Sequence, residues 1–395
     1  MAYEIVRFPY EGTVDADGHV YEPANLWEDY LEERYKDRAI RVKRDRDGWE
    51  YLEVDRRPIP DILGMKGLAF PMMGEKVAEL DPNRLYMDTL PYGATDPQQR
   101  LDLARRENLE HVLLYPTWGL IWERAVTDPE LSLAYMRAYN RWIADFCRDS
   151  GGVLVPIAHL TLTDPQGAAA ELERAVRDGC KGAFVAQYTH TRVPHGHRVH
   201  DPVFAKAQEL DVPLAVHVSI DPEGVSSPRF LRKDMTPQDL AQLAAGGLIG
   251  ARHALEEALL SMYTSNTFDR YPKLKFGLLE VGASWVGAFL DRLDSVHEVE
   301  FGKVGDRPGM LGRLQHKPSE YFRNQCFISG DPEEFSATCM IDYVGNNCFM
   351  WATDYPHADH PATWVPSLKK YADRLKPETR KKVLGQNTKD IYHLA

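Results

Sequence analysis

The 395-residue chain is 44% hydrophobic and 27% charged, with a formal net charge of −12 and no block of Lys/Arg standing apart from acids, so core material is ample and neither nucleic acid nor an anionic membrane surface is an expected partner. Its five cysteines (Cys147, Cys180, Cys326, Cys339, Cys348) are odd in number and form no Cys-x-x-Cys, which argues against a disulfide framework or a cysteine-built zinc site. No apolar run approaches the ~18 residues of a membrane span, and the start MAYEIVRFPYEG has no signal-peptide core, so the expectation is a cytoplasmic protein with reduced thiols.

The first β-type run is VDADGH (14–19). A long stretch rich in Pro, Gly, Met and charge follows, about 20–96, in which RVKRDRDGWEYLEVDRR is charge-mixed and reads as a solvated segment with hairpin character. LEHVLLYP (109–116) is the second run, and DPELSLAYMRAYNRWIADFCRDSGG the helix that leads to the third, VLVPIAHL (153–160). In TDPQGAAAELERAVRDGCKG, Thr163 or Asp164 caps a helix, Pro165 suits its first turn and Gly179 its end. GAFVAQY (182–188) runs into THTRVPHGHRVHD, read as a surface loop, and VPLAVHVS (212–219) is followed by a second long segment, about 220–270. LKFGLLEVG (274–282), QCFISGD (325–331) and CFMWATDYPH (348–357) complete the set. Several of these are continuous apolar runs, as strands buried on both faces require. Eight strands alternating with helices predict an α/β fold, a single-domain (β/α)8 TIM barrel over 1–395 with insertions after strands 1 and 5; a doubly wound sheet has the same strand count. Both insertions leave the C-terminal ends of strands, the face where barrel enzymes keep their chemistry.

Ligand-type side chains gather at those same ends. Strand 1 ends in Asp17-Gly-His19, and alternate residues of a strand share a face, so these two point together. Strand 3 carries His159, strand 4 runs into His190, strand 5 carries His217 and strand 6 Glu280; strand 7 ends in Asp331 and strand 8 in Asp354-Tyr-Pro-His357. Taken singly, His159 reads as a hydrogen-bonded polar residue, Asp331 as a helix cap, Glu22 as a local cap beside Pro23, and His190, His195, His197 and His200 as a solvated cluster. Asp17, His19, His217, Glu280 and Asp354 are different, because strands 1, 5, 6 and 8 bring them to one mouth, where crowded carboxylates need a cation. Their balance of carboxylate and imidazole suits a hard or borderline divalent ion.

With these residues in view, the chain resembles the amidohydrolase-2 branch of the amidohydrolase superfamily, which includes aminocarboxymuconate-semialdehyde decarboxylase-like enzymes. The resemblance runs from about residue 14 to 390 and rests on DADGHVYEP, RAYNRWIADFCRD, the strand ending in His217, LKFGLLEVGASWV with the LDRLD after it, and ATDYPHAD. It implies a divalent metal at the barrel mouth, held by a His-x-His pair on strand 1, a His on strand 5 and an Asp on strand 8, with a further His on strand 6. Here those positions are Asp17 and His19, His217, Asp354 and, on strand 6, Glu280. Two imidazoles have become carboxylates, which favours iron or manganese over zinc. Glu280 is also placed to bridge a second ion, whose site His159, His190 and His357 would complete.

The resemblance implies a metal-dependent hydrolase or decarboxylase of a small organic acid or amide, with Asp354 as the acid–base group and Glu280 beside it. Hydrolysis and decarboxylation need the same metal and acid, and both stay open. Two alternatives stand next to it: a non-haem di-iron or mixed Mn/Fe hydroxylase that uses O₂ on the same barrel, and a non-catalytic metal-bound subunit of a larger assembly. A homo- or hetero-oligomer is expected. Trp27, Trp118, Trp122 and Trp285 lie near loops or strand ends, where they either line an apolar pocket for a small aromatic or branched acid or pack the loops.

Overall fold

All eight β-type runs are strands. The computed structural model describes residues 3–59, 66–75, 81–220, 234, 236, 251–358 and 360–395. The strands are β1 (Thr13–Val20), β2 (Leu109–Pro116), β3 (Leu154–His159), β4 (Gly182–Ala186), β5 (Leu214–His217), β6 (Phe276–Leu279), β7 (Cys326–Gly330) and β8 (Phe349–Trp351). Each pairs in parallel with its neighbour in sequence. Seven of them are buried at every position, which is why they read as unbroken apolar runs rather than as alternating ones.

The ring closes where β8 meets β1. Asp354 N donates to Asp17 O at 2.9 Å and His19 N to Tyr355 O at 2.8 Å. This is the TIM barrel expected from the strand count, and the doubly wound alternative is set aside. The barrel is filled by side chains: Val14, Leu113, Ile157, Phe184, Phe327 and Met350 belong to one interior cluster. Gly277 makes room in it, since a Cβ there would lie 2.3 Å from the Phe327 ring.

Helix starts follow their local signals. Asp128 caps Pro129–Cys147 through Glu130 N, and Asp164 caps Pro165–Arg177 through Gln166 N and Gly167 N. The insertion after β1 carries a small antiparallel sheet, Arg41–Arg44, Glu50–Val54 and Arg57–Pro58, whose Leu52 and Val54 face the main hydrophobic cluster. Of the insertion after β5, residues 221–233, 235 and 237–250 lie outside the described set, and its described end is the helix Arg252–Thr264. The five cysteines are free, and among the described residues no helix is long and apolar enough to cross a membrane.

The stretch THTRVPHGHRVHD lies at the surface, but two of its histidines are covered rather than solvated. His195 and His200 are buried; His195 Nε2 donates to Ala186 O at 2.9 Å, and His200 Nδ1 donates to His195 O at 2.8 Å. The cause is the helix from the second insertion, against which the chain lies so closely that a Cβ on Gly196 would sit 2.2 Å from Ser261 O. Of the four histidines, His197 is exposed, with its ring accepting from Val199 N, and His190 is half-buried.

Candidate metal centre

β1 does not alternate cleanly, and the site depends on the irregularity. Its register against β2 shifts between Asp15 and Gly18. Asp15 therefore turns to the β1–β8 seam, where it accepts from Thr353 N at 2.9 Å and Thr353 Oγ1 at 2.6 Å. Burial pushes its carboxyl up, and the Thr353 bonds and the nearby Arg100 oppose that. Arg100 crosses the same seam, donating to His19 O at 3.0 Å and Tyr355 O at 3.4 Å. Gly18 lets it pass, because a Cβ there would lie 2.6 Å from the guanidinium.

Asp17 and His19 then face the mouth together. His19 Nδ1 is 2.8 Å from Pro116 O, and His217 Nδ1 is 2.7 Å from Val218 O. A carbonyl only accepts, so both imidazoles donate from Nδ1 and turn Nε2 inward. His217 Nε2 lies 3.2 Å from Asp17 Oδ1; His19 Nε2 lies 3.4 Å from the same oxygen and 3.1 Å from Asp354 Oδ1. Glu280 Oε2 approaches the His217 ring at 3.4 Å. One ligand atom each from Asp17, His19, His217 and Glu280 falls within 4.8 Å of all the others, and His19, Asp354 and His357 form an adjoining group of the same kind.

His19 Nε2 and Asp17 Oδ2 are buried without a hydrogen bond among the described residues. Burial alone would raise Asp17, yet His217 and His19 hold its carboxyl well below the usual range; burial alone would lower His19, yet Asp17 and Glu280 hold it above. The pocket thus attracts positive charge. Glu280 and Asp354 both sit at left-handed backbone angles, φ 60° and 58°, which cost a non-glycine residue on the order of 1 kcal/mol each and concentrate at functional sites.

Behind Asp354 stands a chain of polar contacts. His357 Nδ1 is 2.9 Å from Asp354 Oδ1, and His357 Nε2 is 3.0 Å from Thr117 Oγ1. Thr117 Oγ1 also donates to Val20 O at 2.9 Å, so its only proton is used and it must accept from His357 Nε2–H. Burial pushes His357 well below the ordinary imidazole range, with His19 and His217 adding to the effect.

The other expected residues go elsewhere. His159 Nε2 pairs with Glu123 Oε2 at 2.9 Å, and its ring stacks on Phe184. His190 Nε2 turns to Glu123 O. Neither belongs to the two ligand-type groups found among the described residues. Trp27, Trp118 and Trp122 are buried, whereas Trp285 is half-buried and packs on Phe289. Sequence reasoning missed Asp15, Arg100 and Thr117. Asp15 lies within the motif that drew attention, but Arg100 and Thr117 carry no local signal.

The amidohydrolase family profile matches residues 88–394. A gamma-resorcylate decarboxylase from Rhodococcus jostii is 26% identical over 307 residues, 74% of this chain and 88% of that protein. The crystal structure of an amidohydrolase from Mycobacterium avium subsp. paratuberculosis superposes with a TM-score of 0.75 at 20% identity, over 97% of this chain and 99% of its own. A 5-carboxyvanillate decarboxylase from Novosphingobium aromaticivorans, solved with manganese and 4-hydroxy-3-methoxy-5-nitrobenzoic acid, gives 0.67 at 17% identity over 100% of both chains. With the barrel, the mouth cluster and a profile that spans most of its length, the chain belongs to the amidohydrolase family, in the branch that holds these decarboxylases.

Proposed function

We propose that the protein is a decarboxylase of a small aromatic acid bearing a hydroxyl beside its carboxylate, working with one divalent ion, manganese or iron rather than zinc. The observation that carries this reading is the pair of imidazoles whose Nδ1–H groups are committed to backbone carbonyls while their Nε2 atoms converge on Asp17 and Asp354. Such second contacts orient histidines for a metal. The donor set fits the ion: Asp17, His19 and His217 would hold it, with Glu280 and Asp354 at its edge. Relatives that decarboxylate aromatic acids supply the substrate class.

When bound, the ion would hold the substrate's carboxylate and phenolic oxygens and offset their charge. The remaining chemistry belongs to Asp354 and its partners. Losing CO₂ leaves an electron pair on the ring carbon, so that carbon needs a proton; overall the carboxylate and one proton become CO₂ and the C–H product. With Nε2–H given to Thr117, a neutral His357 presents its Nδ1 lone pair to Asp354, so the proton between them resides on Asp354 Oδ1. Asp354 delivers it to the ring carbon, the C–CO₂ bonding pair returns to the ring, and the carboxylate left on Asp354 takes its next proton from solvent, while the His357 Nδ1 lone pair accepts from the re-formed acid.

The oxygen-dependent reading called for a second ion with His159 and His190 among its ligands. Both turn to Glu123, which favours the single-ion reading. The test is to strip the protein of metal, reload it with manganese and supply γ-resorcylate, 5-carboxyvanillate and a panel of aryl amides in D₂O. Release of CO₂ with deuterium at the vacated ring carbon is the expected result; release of amine, or no turnover of any acid in the panel, overturns the proposal.

A further inference from the structure

Three consecutive backbone N–H groups at the end of β2 point at one side chain. Thr117 N and Trp118 N donate to Glu22 Oε2 at 3.1 and 2.9 Å, and Gly119 N donates to Oε1 at 2.8 Å. Glu22 is fully buried. Burying a carboxylate is costly, and fixing a turn does not require one, because Ser, Thr or Asn perform the same service at ordinary helix starts. What this turn holds is Thr117. Its hydroxyl bridges Val20 O and His357 Nε2, and His357 reaches Asp354.

We propose that Glu22 is a positioning residue for proton delivery: it locks the turn 117–119, the turn places Thr117 Oγ1, and that hydroxyl sets the His357 ring against Asp354. This rests on the reading of Asp354 as the proton donor. The geometry explains why a carboxylate is used. Its two oxygens accept all three N–H bonds, whereas a glutamine offers one acceptor oxygen and turns its own N–H₂ toward backbone donors. Glu22→Gln therefore keeps the shape and breaks the clamp. Among the described residues the Glu22 carboxylate bonds to the turn 117–119 and not to the ligand-type side chains, so its effect travels through Thr117.

The experiment compares manganese-loaded wild type with Glu22→Gln, Thr117→Val, Thr117→Ser and the double variant Glu22→Gln/Thr117→Val. Both readouts, steady-state decarboxylation and the His357 ring-nitrogen NMR signals, are taken on the whole protein. Glu22→Gln and Thr117→Val should each lower kcat about tenfold with KM and manganese content changed less than about twofold, because placement is lost and binding is not. Thr117→Ser keeps the hydroxyl and should keep kcat. The double variant should be no worse than Thr117→Val, since the clamp has nothing left to place. Losses that multiply in the double variant, full kcat in Thr117→Val, or an effect of Glu22→Gln on KM alone overturn the proposal. If Glu22→Gln does not fold, Thr117→Val and Thr117→Ser still decide whether the hydroxyl sets the ring. If the wild type turns over no aromatic acid, the functional reading fails, and the His357 signals decide the clamp by themselves: moved in both Glu22→Gln and Thr117→Val they support it, unmoved in either they overturn it.

Discussion

Two groups of imidazole and carboxylate line the upper barrel, and they do opposite work. On the side of β1, β5 and β8, His19 and His217 give their Nδ1–H to carbonyls and aim their Nε2 atoms at Asp17 and Asp354. On the side of β3 and β4, His159 spends its Nε2 on Glu123 at 2.9 Å and is held between Phe184 and Trp122, with ring centroids at 4.6 and 5.1 Å. Residue type is the same in both places. What differs is how many ligand-type side chains meet: Asp17, His19, His217 and Glu280 gather at the first, whereas His159 belongs to neither ligand-type group among the described residues. The first group has the make-up of a cation site, and in the second His159 and Glu123 form a buried pair.

The contrast is broken most directly by removing one imidazole from each group. His217→Ala should lower manganese affinity at least about 100-fold and abolish turnover, because no water reaches the buried position to replace its nitrogen. His159→Ala should keep manganese, measured by elemental analysis after dialysis, but lose roughly 3–5 kcal/mol of stability by denaturant titration, because Glu123 is left buried and alone. Equal metal loss in both variants would erase the distinction.

A third histidine sharpens it through pH. Burial pushes His195 down to about 4, with the Ala186 carbonyl only partly opposing. The folded state therefore holds the neutral ring while the unfolded chain takes a proton below its ordinary value of about 6.5. The stability it contributes is complete above that value and is lost as pH falls toward 4, about 3 kcal/mol in all. Urea midpoints at pH 7 and pH 5 should diverge less in His195→Gln than in wild type.

Smaller effects probe the scaffold under the first group. Gly18→Ala pushes against Arg100 across the seam; it should cost roughly 1–3 kcal/mol and weaken manganese binding about tenfold or more, because the strand that carries Asp17 and His19 must shift. Asp164→Ala removes a helix cap far from the mouth and should cost about 1 kcal/mol with no change in metal content.

Much of this was legible in the sequence, for identifiable reasons. Parallel strands buried on both faces leave continuous apolar runs, so all eight were found, and helix starts such as Asp164-Pro165 carry local chemistry. Asp17, His19, His217, Glu280 and Asp354 could be singled out because a barrel sends the C-terminal ends of its strands to one place. The seam was not legible. Asp15 leaves the alternation because β1 slips register against β2, and Arg100 and Thr117 matter only through groups distant in sequence. His195 was misread because its loop is polar in composition, yet a helix more than fifty residues later covers it.

The central claim is that one cation belongs between Asp17, His19 and His217 and none belongs at His159. Anomalous diffraction at the manganese edge, from crystals of metal-stripped protein reloaded with manganese, tests this most directly. The account predicts one strong peak enclosed by Asp17, His19 Nε2 and His217 Nε2; no peak there, or an equal one beside His159 and Glu123, would contradict it.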